Sequence, residues 1–428
     1  MIDRLIGRPL HYAWLIVIVT FVTLITTAGF RATPGVLIVP LQHEFGWSRA
    51  TISVAVSLGL LLFGLTAPFS AALMERFGVR RVMLIALLTI AVGASTTTVM
   101  NAPWQLDLLW GVVVGSATGA VSVPLAATVA NRWFSTRRGL VTGLLTASNA
   151  SGQMVFLPLL AWLATVYGWR YAAITVSAVA VLFVAPIVAI VVRDRPQSIG
   201  IEPYGATEPV PVPERSEHPF RPAIDGLKLG IASPTFWLLC SSFFICGLST
   251  NGLIGTHLIP AGVDHHLSEV RGASLLALMG VFDVIGTTVS GWLTDRMDPR
   301  KLLAWYYAFR GLAVIALPFA FGSTVALVAF AVFYGLDWVS TVPPTSAIAA
   351  DLFGRERVGI VFGWIFAAHQ MGAAFAAWAA GASRSWFGTY TYAFVAAGAL
   401  CLVASGLSLR IDRKVIAPRG VTPEPAYA

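Results

Sequence analysis

Four ionisable residues, Arg31, Asp283, Arg310 and Asp337, interrupt apolar runs long enough to cross a bilayer. A charge at mid-membrane costs about 2.5–3.5 kcal/mol on insertion scales, so each of the four calls for a partner or a purpose. A guanidinium meets a carboxylate through two parallel hydrogen bonds where water is scarce, which makes Arg31 a candidate anion ligand. Its structural alternative is a side chain reaching out to the headgroups. Arg310 can neutralise either acid. Whichever of Asp283 and Asp337 it holds stays ionised, and the other is free to take up and release a proton. At about 1.5 Å of rise per residue, Asp283, Arg310 and Asp337 lie roughly 18, 14 and 20 Å from the basic ends of their helices, and Arg31 roughly 28 Å along the first. Asn149, Gln153, Asn251, His369 and Gln370 sit in the same kind of run, where they either orient a polar substrate or tie helices together.

The chain that must position these groups has 428 residues, 57% hydrophobic and 11% charged. A soluble protein averages about 25% charged residues, so this chain belongs in a bilayer. Runs of the length needed to span the hydrocarbon core fall at 12–40, 51–74, 82–100, 106–130, 140–165, 171–192, 236–263, 273–293, 302–321, 325–350, 360–383 and 392–409. That makes an all-α membrane protein of twelve spans. The first run is too long for a signal-peptide core and reads as a retained helix. Cys240, Cys246 and Cys401 lie inside apolar stretches, so neither a disulfide framework nor a metal site is expected. No phosphate loop or nucleophile elbow occurs, so neither a cofactor nor covalent catalysis is expected.

The net charge is +8, yet the basic residues form short clusters between spans, which speaks for membrane orientation and against nucleic acid. Alternate connections carry Arg76, Arg80 and Arg81, then Arg132, Arg137 and Arg138, then Arg296, Arg300 and Lys301; the tails are basic too. The opposite connections hold Arg49, Arg170, Arg271 and Arg384. Both termini are therefore expected in the cytoplasm, with the chain multi-pass in the cell inner membrane.

A polar stretch at 193–233, rich in Pro and Glu, suits a solvated linker. It divides the chain into bundles at 1–192 and 234–410, with a cytoplasmic tail at 411–428. The halves repeat at an offset of 220: Gly35 with Gly255, Pro40 with Pro260, Arg76 with Arg296, Arg80 with Arg300, Pro124 with Pro344, and Gly152 with Gly372. Gly, Pro and charge set backbone shape and helix ends, so two pseudo-symmetric six-helix bundles are expected. The same offset pairs Arg31 with Asn251 and Asn149 with His369. Helix-breaking residues at matching depth in spans one, seven, four and ten are what rocking halves need.

The segment Ala71-x-x-x-Glu75-Arg76-x-Gly78-x-Arg80-Arg81 and its partner Gly291-x-x-x-Asp295-Arg296-x-x-x-Arg300-Lys301 resemble the signature loop of the major facilitator superfamily. The resemblance, which covers nearly the whole chain, implies that superfamily's fold and alternating access. It makes Glu75, Arg76, Arg80, Asp295, Arg296 and Arg300 a conformational latch, whose charges pair when the halves close at the cytoplasmic face. Span nine is peripheral in that fold, which implies for Arg310 a structural ion pair.

A narrower stretch, Trp133-Phe134-Ser135-Thr136-Arg137-Arg138-Gly139-Leu140-Val141-Thr142-Gly143-Leu144, followed by Leu157-Pro158-Leu159 and Gly168-Trp169-Arg170, looks like the monocarboxylate transporter family. Thr136 replaces a family Lys, Ser148 a family Gly, and the acid that opens the family's first span has no counterpart near Pro9, before Tyr12-Ala13-Trp14. Asp283 fits the family's acid on span eight, which implies a proton carrier, with Asp337 its competitor. Thr287 stands where the family carries the Arg that meets the substrate carboxylate, leaving Arg31 for that role.

The expected function is secondary active transport of small, monocarboxylate-like organic anions, coupled to protons. Asp283 or Asp337 would titrate, while Arg31, Asn149, Asn251, His369 and Gln370 would bind substrate. The alternatives are proton-driven efflux of amphipathic or aromatic compounds, suggested by the many Phe and Trp residues, and a receptor or scaffold that has lost translocation.

Overall fold

A computed structural model of the protein describes residues 11–208, 220–354 and 357–411. Of the expected tail at 411–428 all but the first residue, and the middle of the linker at 209–219, lie outside them. Among the described residues twelve long helices carry the fold: α1 (Tyr12–Phe45), α2 (Arg49–Phe77), α3 (Val79–Val99), α4 (Pro103–Trp133), α5 (Arg138–Val166), α6 (Trp169–Val191), α7 (Pro234–Asp264), α8 (Glu269–Thr294), α9 (Pro299–Ala320), α10 (Thr324–Phe353), α11 (Val358–Phe387) and α12 (Thr391–Leu409). Eleven are long and apolar enough to cross a membrane, and α5 is 29 residues long. Large apolar side chains such as Phe319 and Val325 stand fully outward, as a lipid-facing surface requires.

The offset of 220 is built into the contacts. Ser48 Oγ accepts from Thr51 N at the start of α2, and Ser268 Oγ accepts from Arg271 N at the start of α8. Each serine relieves one of the unpaired N–H groups at a helix start. Further along the same helices, Ser70 Oγ donates to Ala120 O at 2.6 Å, and Ser290 Oγ donates to Ser340 O at 2.5 Å. Both carbonyls lie where a helix breaks. α4 interrupts at Val121–Ser122 before resuming at Val123, and α10 interrupts between Asp337 and Val342. Prolines open the second segment of each, where a missing N–H costs nothing.

The halves meet through α2 against α11, α5 against α8 and α1 against α7. Gly35 and Gly255, an offset pair, face each other where α1 crosses α7: a Cβ on Gly35 would stand 3.2 Å from Gly255 O. That is tighter than ordinary contact, so a side chain there would push the two backbones apart by a few tenths of an ångström. α7 also carries a π-helical turn at Leu248–Ile254, the turn that contains Asn251.

The described ends of the linker dock onto the bundles. A helix at Arg221–Ile231 packs its Gly226 against Ile360, and Trp364 Nε1 donates to Ala223 O at 2.8 Å. Tyr204 joins Phe134 through a backbone bridge and packs against Trp14. Small residues and isolated aromatics supply this docking, which a count of Pro and Glu overlooks.

Candidate functional site

A cavity of about 150 Å³ lies between the halves, with a smaller one of about 60 Å³ beside it. Arg31, Asn251, Thr118 and Trp338 line both. The larger extends toward Leu24 and Phe362, on the side of the charge-rich connections; the smaller extends toward Gly35 and Thr256, on the charge-poor side. Arg31 and Asn251 therefore stand where the two voids meet, brought there by equivalent positions on α1 and α7. The Arg31 guanidinium lies 5.0 Å from the centre of the Phe63 ring, a cation–π contact.

His369 and Gln370 on α11 are buried and line the larger cavity. Among the described residues His369 Nδ1 and Gln370 Oε1 have no hydrogen-bond partner, although buried polar atoms nearly always find one. The side chains of Asn149 and Gln153 lie outside the described residues.

Asp283, Arg310 and Asp337 are buried together, one residue behind the cavity wall formed by Cys246, Trp338, Val339 and Thr341. Arg310 Nε donates to Asp337 Oδ2 at 2.6 Å. Its other nitrogens donate to Cys246 Sγ at 2.8 Å, to Asp337 O at 2.6 Å and to Trp338 O at 3.1 Å. Those two carbonyls belong to the break in α10, so Arg310 both neutralises Asp337 and closes the end of a helix segment. Asp283 Oδ1 accepts from Thr287 Oγ1 at 3.0 Å and from Val339 N at 2.9 Å. The broken stretch of α10 is thus held from α9 by a cation and from α8 by an acid.

The loops carrying Glu75, Arg76 and Arg80, and Asp295, Arg296 and Arg300, lie at the charge-rich end. Glu75, Arg76, Arg80, Asp295 and Arg296 are exposed. Arg296 stacks on Trp292, with 4.2 Å to the ring centre, and Arg300 pairs with Asp298 at 2.8 Å. The backbone N–H groups of Arg80 and Arg300, again offset partners, each donate to a carboxylate at 2.9 Å: Asp194 at the start of the linker and Asp298 in the second half.

A second constellation lies at the charge-poor end, where sequence reasoning counted only scattered loop charges. Arg49 on α2 grips Asp264 at the end of α7, Arg384 on α11 grips the same carboxylate, and Arg49 also donates to Tyr390 Oη and Pro260 O. His257 Nε2 donates to Ala377 O at 2.7 Å, leaving Nδ1 to accept from the Tyr390 hydroxyl at 3.3 Å. Pro40 and Pro260 pointed to this end of the fold; the spacing of Arg49 and Asp264 in the chain gave no sign that they meet.

A family model for the Major Facilitator Superfamily matches residues 19–342 and 258–425. The chain belongs to this superfamily and is a multi-pass membrane transporter. It is 26% identical over 408 residues to the MFS-type transporter YcxA of Bacillus subtilis, spanning 93% of this chain and 94% of that one. It is 27% identical over 409 residues to monocarboxylate transporter 13 of Rattus norvegicus, spanning 94% and 89%. Among solved structures it resembles a D-xylose-proton symporter, with a TM-score of 0.73 and 11% identity over 95% of this chain and 100% of that one. A bacterial homolog of the human lysosomal transporter Spinster, inward-facing and unoccupied, superposes with a TM-score of 0.72 and 16% identity over 95% and 99%. These two likenesses show the fold.

Proposed function

We propose that the protein is a secondary active transporter of small organic anions, coupled to protons and working by alternating access, and that it catalyses no covalent change. The observation that carries this reading is the position of Arg31, a guanidinium at the meeting point of two voids between the halves. A carboxylate docked there would touch both bundles, with Asn251 contributed from the second. The monocarboxylate transporters among the relatives support the anion class. The charge distribution supports a cell inner membrane location with cytoplasmic termini, and the linker at 193–233 joins halves ending near 192 and starting near 234.

Asp283 is the proposed proton carrier. Asp337 is committed to Arg310 at 2.6 Å, whereas Asp283 receives bonds from a neutral hydroxyl and a backbone N–H. A proton on Asp283 disrupts no ion pair, and it weakens the bond to Val339 N, which belongs to the cavity wall and to the break in α10. Protonation and substrate binding thereby act on one hinge. The loops at Glu75, Arg76 and Arg80 and at Asp295, Arg296 and Arg300 then serve as the cytoplasmic latch. One proton crossing 100 mV contributes about 2.3 kcal/mol, roughly a fifty-fold gradient.

Purified protein in liposomes tests the reading. Uptake of a labelled carboxylate should rise with an inward pH gradient, and Asp283→Asn should abolish that dependence while exchange at equal pH persists. Gradient-driven uptake undiminished in Asp283→Asn would remove Asp283 from the mechanism.

A further inference from the structure

The larger cavity is walled on one side by connected rings. Phe63 on α2 meets Phe366 on α11 edge-on at 5.9 Å between centres. Phe366 lies parallel to the His369 ring, at 5.8 Å and 9°. His369 in turn contacts Phe243 on α7 at 4.8 Å, and Phe243 contacts Phe362 at 5.9 Å. All five rings line the cavity, with the indole of Trp338 from α10. Arg31 lies over the first ring of the series. The cavity is therefore one cation, a belt of aromatic faces and edges, and two buried polar atoms without partners, His369 Nδ1 and Gln370 Oε1.

We infer that the substrate is a monocyclic aromatic carboxylate bearing a hydroxyl on its ring. The inference rests on the organic-anion reading and narrows it. The size fits: the cavity measures about 150 Å³, and an apolar cavity of about 150 Å³ is known to admit benzene. A two- or three-carbon acid would leave the aromatic wall without contacts, forfeiting the dispersion and edge-to-face attraction that a ring would gain there. The carboxylate goes to Arg31 and Asn251, because no other cation lines the cavity among the described residues. The ring hydroxyl answers the two orphaned atoms. A hydroxyl both donates and accepts, so it satisfies Gln370 in either amide orientation and His369 in either tautomer. A site with buried polar groups awaiting a hydroxyl discriminates strongly against the ligand that lacks it.

Uptake into liposomes of labelled hydroxybenzoates, benzoate and propionate by the full chain tests this. Wild type should take up at least one hydroxybenzoate about tenfold better than benzoate at limiting concentration, the scale of one buried hydrogen bond, and benzoate better than propionate. In Gln370→Leu the hydroxybenzoate-to-benzoate ratio should fall toward one, and in Phe366→Ala the benzoate-to-propionate ratio should fall. Competition by the same unlabelled acids against wild type alone reads the same order without any variant. Propionate carried as well as the aromatic acids would overturn the ring assignment and leave the anion reading intact. Benzoate carried as well as every hydroxybenzoate would overturn the hydroxyl. Carriage of none of the three acids would overturn both this inference and the anion reading.

Discussion

Arg49 and Asp264 meet in a two-point ion pair, Nη1 to Oδ2 at 2.9 Å and Nη2 to Oδ1 at 2.8 Å, that ties α2 of one half to α7 of the other. Arg384 holds the same carboxylate from α11, with Nε at 2.6 Å from Oδ2. Close by, Ser57 Oγ donates to Ala374 O at 2.7 Å, and the apolar cluster of Val56, Leu60, Ala373, Ala374 and Ala377 seals the seam. The charge-poor end is thus closed by a fork-shaped charge pair over a layer of small side chains, between the smaller void and the loops.

Breaking that pair should bias the protein toward opening there. Arg49→Gln removes hydrogen bonds to a charged partner worth about 1.5–3 kcal/mol, which shifts an opening equilibrium roughly ten- to hundredfold. A cysteine placed at Thr256, on the smaller void, reports it: its labelling by an impermeant maleimide from the charge-poor side should rise by that factor. Unchanged labelling would mean that the pair is not what holds this end shut.

Tyr390 adds a pH limit to the same seal. It lies between α11 and α12, and burial pushes its phenol up to about 12 from 10.0. The folded protein retains this proton longer than the unfolded chain, so the contribution of Tyr390 to stability is intact below pH 10 and is lost as the pH rises toward 12. Thermal unfolding of wild type and Tyr390→Phe should show a difference that is constant below pH 10 and moves in favour of the variant above it.

Much of this architecture was legible in the sequence, for a physical reason: Gly, Pro and helix-end charges dictate backbone shape. The pairs at an offset of 220 include Gly35 with Gly255, which meet where α1 crosses α7, and Pro124 with Pro344, which open the second segments of the broken α4 and α10. Arg31 and Asn251 were placed on one cavity by the same offset. Other relationships were closed to it. Arg310 had two acids at its depth, and only the break in α10, which turns the carbonyls of Asp337 and Trp338 toward α9, decides for Asp337. Arg49 and Asp264 are ordinary loop-end charges in sequence; the approach of two helices from different halves makes them a pair. The docking of the linker rests on Ala223, Gly226 and Tyr204, whose types advertise nothing.

The Arg310–Asp337 pair should be costly to halve and cheap to replace. Asp337→Asn leaves a buried guanidinium without its counter-charge, at about 3–5 kcal/mol. The double change Arg310→Met with Asp337→Leu removes both charges, although it also uncovers the carbonyls of Asp337 and Trp338. It should therefore recover part of the loss, and not all. Thermal unfolding in detergent of the two singles and the double gives the coupling directly. A double variant no more stable than the singles would show that the carbonyl contacts, and not the ion pair, carry the stability.

Arg31 distinguishes geometry from charge. Arg31→Lys keeps the cation but gives up the flat two-point grip on a carboxylate and the stacking over Phe63 at 5.0 Å. The loss of one charged hydrogen bond, about 1.5–3 kcal/mol, should raise the half-saturating concentration for a carboxylate roughly ten- to hundredfold, with maximal uptake less affected. Arg31→Gln should raise it further, because the charge goes as well. Initial uptake rates across a substrate series measure both. Equal half-saturation in Arg31→Lys and wild type would mean that the anion meets a simple positive field, and that the planar shape of the guanidinium plays no part in holding it.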